Sequence, residues 1–203
     1  METEFKYRLK DESVFNSMLK DAELRRNRTE DAEIIEMKAA YFDTEFQDLR
    51  HRGVAYRIRK ENERINATVK WDLDVFDGMY VREEINLVVN DEAFADDPDI
   101  ELFVSSSAYD VLSEATQGRK LVKNVEMEYT RRQFLVDTGK SLSCISEDQG
   151  VIHCLDGHDE PIFELEIEWY HGDEEDYKEL ASRIQKQYGL EIEDRSKLQR
   201  AFS

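Results

Sequence analysis

With 203 residues the chain is long enough to bury a full core, and 40% apolar content with only 2 prolines marks it as globular rather than disordered. Its 47 acids against 28 bases give a formal charge of −19, a field that repels nucleic acid and anionic membrane and excludes both as partners. No apolar run approaches the roughly 18–20 residues that span a bilayer. The N-terminus is charged from its second residue, so no leader is expected and the cytoplasm is the expected compartment.

Residues 2–9 alternate charge and bulk: Glu2, Glu4, Lys6 and Arg8 share one side of a strand, Thr3, Phe5, Tyr7 and Leu9 the other. A helix is predicted over 12–27, where Phe15, Met18, Leu19 and Ala22 keep i, i+3, i+4, i+7 spacing. Strands follow at 33–42, 54–61, 64–74 and 79–89, with Asp77-Gly78 as the turn between the last two. Residues 90–99 read as acidic loop. Ser107-Ala108-Tyr109-Asp110 resembles a capping box opening a helix, with Ala108, Val111, Leu112 and Ala115 as its stripe and Gly118 as its stop.

Strands resume at 121–136, 141–147, 150–155 and 162–170. A turn near Gln149-Gly150 would set Cys144 and Cys154 opposite one another on a hairpin, as reduced and buried thiols. The last long helix spans 173–188, before Gly189, and a short tail carries Ser196-Lys197. The four histidines are scattered and receive no role. No linker divides the chain, so a single domain over 1–203 is expected. The class is α+β: an antiparallel sheet closed or nearly closed on itself, with helices at the joints.

The charged alternation recurs. Arg57 and Arg59 share a face, as do Thr68 and Lys70, then Arg82, Glu84 and Asn86. In Phe163-Glu164-Leu165-Glu166-Ile167-Glu168-Trp169, three carboxylates take one face and four large apolar residues the other. For one such strand the simpler arrangement turns the charges to water. Repeated strand after strand, it points to apolar faces under outer helices and charged faces lining a lumen. Aromatic residues such as Tyr7, Tyr56, Trp71 and Tyr80 are then expected on the outer faces. Carboxylates crowded in a lumen are costly unless paired or metal-bound, and hard cations such as Mg²⁺ and Mn²⁺ prefer carboxylate oxygen. Inward bases and acids come out nearly balanced, so two divalent ions would tip the lumen to roughly +5 and suit a condensed phosphate chain.

These residues resemble the CYTH superfamily, the triphosphate tunnel metalloenzymes, over nearly the whole chain. The likeness rests on E-x-E-x-K at Glu2, Glu4 and Lys6; on Tyr41-Phe42-Asp43-Thr44; on Leu49, Gly53 and Tyr56-Arg57-Ile58-Arg59; and on Thr68-Val69-Lys70. It continues through Arg82-Glu83-Glu84, Arg131-x-x-Phe134, Asp148-x-Gly150, the 164–168 glutamates and Ser196-Lys197. The resemblance implies an eight-stranded antiparallel tunnel with helices outside, acting on a triphosphate-bearing small molecule with two Mg²⁺ or Mn²⁺ ions. By the same likeness Glu2, Glu4 and one carboxylate among Glu164, Glu166 and Glu168 hold the first ion. Asp148, Glu84 and another of those glutamates hold the second. Lys6, Arg57 and Arg59 are the implied catalytic cations, and Lys70, Arg82, Lys197 and one of Arg131 or Arg132 complete the phosphate clamp. The implied activity is hydrolysis of triphosphates, inorganic tripolyphosphate first. Class IV-type adenylyl cyclase, thiamine triphosphatase and a triphosphate sensor without turnover are the alternatives, in a monomer or homodimer.

Overall fold

The structure, a computed structural model, describes residues 1–76, 78–89 and 98–202, the backbone alone at 72, 73 and 76. Its strands are β1 (Glu2–Arg8), β2 (Glu33–Thr44), β3 (Ala55–Glu61), β4 (Arg64–Phe76), β5 (Met79–Val89), β6 (Leu121–Asp137), β7 (Ser141–His153), β8 (Asp159–Gly172) and the two-residue β9 (Glu191–Ile192). The first eight pair antiparallel in the order β5-β4-β3-β2-β6-β7-β8-β1, and β1 pairs with β5 to close the barrel. Closure leaves no exposed edge among them, and β9 adds outside on β1 through Tyr7 and Arg8.

Period-two alternation then sorts side chains, apolar outward. One outer layer joins Tyr7, Phe134, Ile145, Leu165 and Ile167 to the helices α1 (Ser13–Met18), α2 (Ala22–Asn27) and α5 (Glu174–Tyr188). A second joins Phe42, Tyr56, Ile58, Ala67 and Val69 to α3 (Asp48–His51) and α4 (Ser107–Thr116). Inside, one end is also apolar. Met37, Ala39, Val125, Met127, Ile152 and Ile162 close there around Ala201, with Leu198 and Phe202 packed alongside. These last residues belong to and follow α6 (Lys197–Arg200), which plugs that end. Among the described residues no helix is long and apolar enough to cross a membrane.

Four local expectations are corrected. The 12–27 helix breaks in two at Asp21, whose carboxylate accepts from the Glu23 and Leu24 N–H groups at 2.9 Å each and so caps α2. Leu24 is buried there, and Ala22 is exposed. Strand β7 runs unbroken through Gln149-Gly150, so Cys144 and Cys154 do not face each other; both are free and buried. Gly150 marks a close approach, since a Cβ there would lie 2.1 Å from the Glu128 carbonyl oxygen. The N-cap of α4 is Ser106, whose side chain caps nothing, so Ser107 opens no capping box; one is formed instead by Ser196 and Gln199 at α6. Asp77 and residues 90–97 lie outside the described residues, and Gly78 adopts the left-handed φ of +81° that a tight turn favours.

Leu165 is fully buried on the outward face of β8 against the α5 layer. Leu165→Ala is expected to lower stability by about 3 kcal/mol, seen as a fall in the urea midpoint at unchanged m.

Candidate active site

The barrel encloses a cavity of about 290 Å³. Seven cations (Lys6, Arg57, Arg59, Lys70, Arg82, Arg131 and Lys197) and six carboxylates (Glu2, Glu4, Glu61, Glu84, Glu166 and Glu168) line it. Strand register sets who meets whom. Glu2 lies opposite Arg82 across β1 and β5, Lys6 opposite Glu166 across β1 and β8, and Lys70 opposite Glu84 across β4 and β5. Two like charges also meet, Glu4 opposite Glu168. Cross-strand neighbours on one face are close enough for each of these juxtapositions to matter.

Most of the charge is internally paired. The Lys70 ammonium donates to Glu2 at 2.6 Å and lies 2.6 Å from Glu84. Arg82 donates to Glu2 at 2.9 Å and Glu4 at 3.2 Å, and Lys6 sits 3.2 Å from Glu4 and 3.5 Å from Glu166. Arg59 is held by Glu61. Burial alone would discharge these groups, yet Lys70 and Arg57 hold Glu84 down at about 2. Burial likewise opposes charge on Lys6, but Glu4 and Glu166 raise its pKa above the ordinary lysine value.

Two groups break the pattern. Arg57 is buried, its Nε has no hydrogen-bond partner, and it forms no ion pair with a carboxylate among the described residues. Its side-chain partner is Tyr41, opposite it across β2 and β3 with the ring centre 6.0 Å away, and Tyr129 and Glu84 also act on its charge. Glu168 has neither hydrogen bond nor ion pair among the described residues. Burial, then Glu2 and Glu4 beside it, push its pKa up to about 8. The two stand on β3 and β8, half-way round the ring from each other. The lumen therefore holds an arginine without a carboxylate partner on one wall and, on the other, a glutamate without a cationic partner beside the paired Glu2 and Glu4.

Beside that set, at the deep end, lie Asp148, Glu164 and Glu166, each with a donor oxygen within 4.8 Å of the others. Asp148 takes a bidentate fork from Arg131, 2.7 Å on each arm, and Arg131 also reaches Glu166 at 2.5 Å. Arg131 is thus the arginine that faces the tunnel. Arg132 turns to the other face, binding Glu147 and Asn16 and lying 4.9 Å over the Phe15 ring, so it is removed from the phosphate clamp. Arg8 is corrected too: it is exposed and pairs with Glu193 at 2.6 Å. Tyr80 is inward rather than outward, under Lys6 and Arg82 at 4.7 and 5.6 Å. All other expected site residues lie in or directly behind the cavity.

The sequence reading missed Glu61 and Arg200. Glu61 shares the parity of Arg57 and Arg59, a signal that was available. Arg200 donates to Glu164 at 2.7 Å, and only its i, i+3 spacing from Lys197 could have pointed to it. A neighbouring cavity of about 430 Å³ shares Lys70 and Arg82 with the first and adds Arg50 and Arg52, with no carboxylate in its lining. Of the basic stretch between residues 50 and 70, Arg50, Arg52, Arg57, Arg59 and Lys70 line one or both cavities, and Lys60 and Arg64 do not.

The family model of the CYTH domain matches residues 1–202. The chain belongs to that family. Solved structures agree in fold with this CYTH chain. A Hippeastrum protein described as a putative adenylyl cyclase with a dominant triphosphatase activity is 21% identical, with TM-score 0.72 over 98% of this chain and 93% of that one. A putative adenylate cyclase from Bacillus halodurans is 16% identical, TM-score 0.62, covering 100% and 98%. The RNA triphosphatase domain of a mimivirus mRNA capping enzyme is 10% identical, TM-score 0.54, covering 93% and 89%.

The raised Glu168 value has a consequence for the metal-free protein. Between its unfolded value of 4.5 and about 8 the folded state holds a proton that the unfolded chain has released, so stability falls as pH rises through that window. Thermal melts in chelator from pH 5 to 8.5 should show this decline, and Glu168→Gln should flatten it.

Proposed function

We propose that this CYTH chain is a divalent-metal-dependent hydrolase of triphosphates, with inorganic tripolyphosphate as its first substrate and nucleoside triphosphates as secondary ones. The observation that carries the reading is the facing pair of uncompensated groups, the Arg57 guanidinium and the Glu168 carboxylate. A phosphate chain bearing a hard cation answers both at once. The Hippeastrum and mimivirus descriptions name triphosphatase activity for those proteins, which supports the same class here.

Glu2, Glu4 and Glu168 are the residues that would hold a Mg²⁺ or Mn²⁺ ion, being oxygen donors on adjacent strands with one member, Glu168, lacking an ion-pair partner. When bound, the ion neutralises phosphate charge and polarises the phosphoryl group toward attack by water. The chain's own residues do the rest. Lining charges are close to balanced, so the cavity attracts a polyanion only once the carboxylates are engaged elsewhere. Glu2 presently holds Lys70 and Arg82, and Glu4 holds Lys6 and Arg82. Were those glutamates to turn to a cation, Arg82 would be freed for the non-bridging oxygens, and Lys70 and Lys6 would each keep one carboxylate, Glu84 and Glu166. Arg57 is free already and serves as the first anchor, its flat fork suited to two oxygens of one phosphate. Arg131 and Arg59 keep carboxylate partners and flank the path. With charge spread over the phosphoryl oxygens at transfer, positioning and electrostatics supply the rate.

The test is to offer the purified protein, with Mg²⁺ or Mn²⁺, tripolyphosphate, ATP and thiamine triphosphate while phosphate, pyrophosphate and cyclic AMP are measured. Phosphate release, fastest from tripolyphosphate, is expected. Cyclic AMP with pyrophosphate would make the chain a cyclase, and binding without product a sensor. Glu4→Gln and Arg57→Ala should each cut turnover by about 10²-fold or more with the fold intact by circular dichroism. Glu174→Gln, a half-exposed partner of Lys178 on α5, is the control and should change little.

A further inference from the structure

The donor geometry of Asp148, Glu164 and Glu166 invites a second metal ion, but the space between them is taken. The Lys197 ammonium lies 2.7 Å from Asp148 and 2.9 Å from Glu166, and it also binds Glu164. The ammonium donates hydrogen bonds to Glu164 and Glu166 and forms an ion pair with Asp148. We propose that Lys197 is the built-in cation of this triad, so that the folded protein takes no metal there and binds its divalent ion elsewhere in the tunnel.

Charge balance supports this as well. Arg131 forks onto Asp148 and reaches Glu166, Arg200 holds Glu164 at 2.7 Å, and Lys6 stands 3.5 Å from Glu166. With Lys197 in place, three carboxylates face four cations, one of which, Lys6, is shared with Glu4. A dication added to that cluster would enter a buried region whose negative charge is spent. The metal-like oxygen spacing is instead explained by the ammonium it surrounds.

The lysine is also held in place by structure that has nothing to do with metal. Ser196 caps α6 by accepting from Gln199 N–H at 3.1 Å, while the Gln199 side chain accepts from Ser196 N–H at 2.7 Å. Upstream, Glu193 N–H donates to the Lys6 carbonyl at 3.0 Å, and β9 pairs with β1. Downstream, Ala201 is buried in the apolar end of the barrel. Withdrawing Lys197 to admit an ion would pull on all three. Lys197 therefore acts as a positioning residue that fastens the plug, and its contacts with the triad compete with any role in the phosphate clamp.

The test counts Mn²⁺ ions bound without substrate, from the free-ion signal in electron paramagnetic resonance. One ion is expected for the unaltered protein, a count that rests on the proposed assignment to Glu2, Glu4 and Glu168. Lys197→Met should bind two, Glu168→Gln none, and the double variant one. If the unaltered protein binds none while Lys197→Met binds one, the inference about the triad stands and the Glu168 assignment falls. Two ions in the unaltered protein, or an ion in Glu168→Gln that Glu164→Gln removes, would overturn the inference, as would a folded Lys197→Met that gains none. Should Lys197→Met fail to fold, crystals of the unaltered protein soaked in Mn²⁺ decide the matter: an anomalous peak amid Asp148, Glu164 and Glu166 refutes it, and a peak confined to Glu168 upholds it.

Discussion

Charge can be kept inside this barrel only if each buried group meets an opposite one, because an isolated ion away from water carries a penalty of several kcal/mol. Strand register is what arranges those meetings. Pairing β1 with β5 puts Glu2 on Arg82, and pairing β1 with β8 puts Lys6 on Glu166. A slip of one residue in β1 would turn Glu2, Glu4 and Lys6 into the packed layer of Tyr7, Tyr177 and Leu180, and Phe5 and Tyr7 into the lumen. The outer apolar layers and the inner ion network therefore specify the same register from opposite sides. Barrel closure makes the agreement obligatory, since β1 must satisfy both neighbours at once.

Where that network is complete it is architecture, and where it is incomplete it marks the candidate site. The cluster of Asp148, Glu164, Glu166, Lys197, Arg131 and Arg200 is closed upon itself. Arg57 and Glu168 are the places where closure stops, and the near match of Glu4 with Glu168 across the ladder is a local conflict that the rest of the sheet sustains. Strong rule-breaking against a well-satisfied background is where function is sought.

Much of this was legible in the strand parity. Alternation alone separates Glu164, Glu166 and Glu168 from Leu165 and Ile167, and the structure puts the first set inside and the second under α5. Parity could not decide between Arg131 and Arg132, which are neighbours on opposite faces; the packing of Phe15 on α1 settles that, and it is a tertiary contact. Tyr80 shares the parity of Arg82 and Glu84, so its inward position was readable, but its bulk and ring argued for a core place. Gly150 misled for a different reason. A glycine after a polar residue is a turn signal in sequence, whereas here it answers the close approach of Tyr129 on β6, which only the folded ladder reveals. The break at Asp21 follows from side-chain capping outcompeting helix continuation, a balance of about 1 kcal/mol.

The distribution of charge over the whole molecule bears on how a phosphate chain reaches the tunnel. At a formal −19 the exterior repels a polyanion at long range, and screening confines that repulsion to about 8–10 Å at physiological salt. Within that distance lies the cavity lined by Arg50, Arg52, Lys70 and Arg82 and by no carboxylate. It adjoins the lumen through the two bases they share. On the proposed function, an approaching triphosphate would be turned away from most of the surface and accepted beside Lys70 and Arg82, whose own hold on Glu2 would loosen as the phosphates move in toward Arg57. Under that proposal, selectivity for compact, highly charged anions would follow from the exchange. A weakly charged ligand gains too little from the bases to displace Glu2, and a ligand too bulky for a lumen of about 290 Å³ does not pass the strands that frame it.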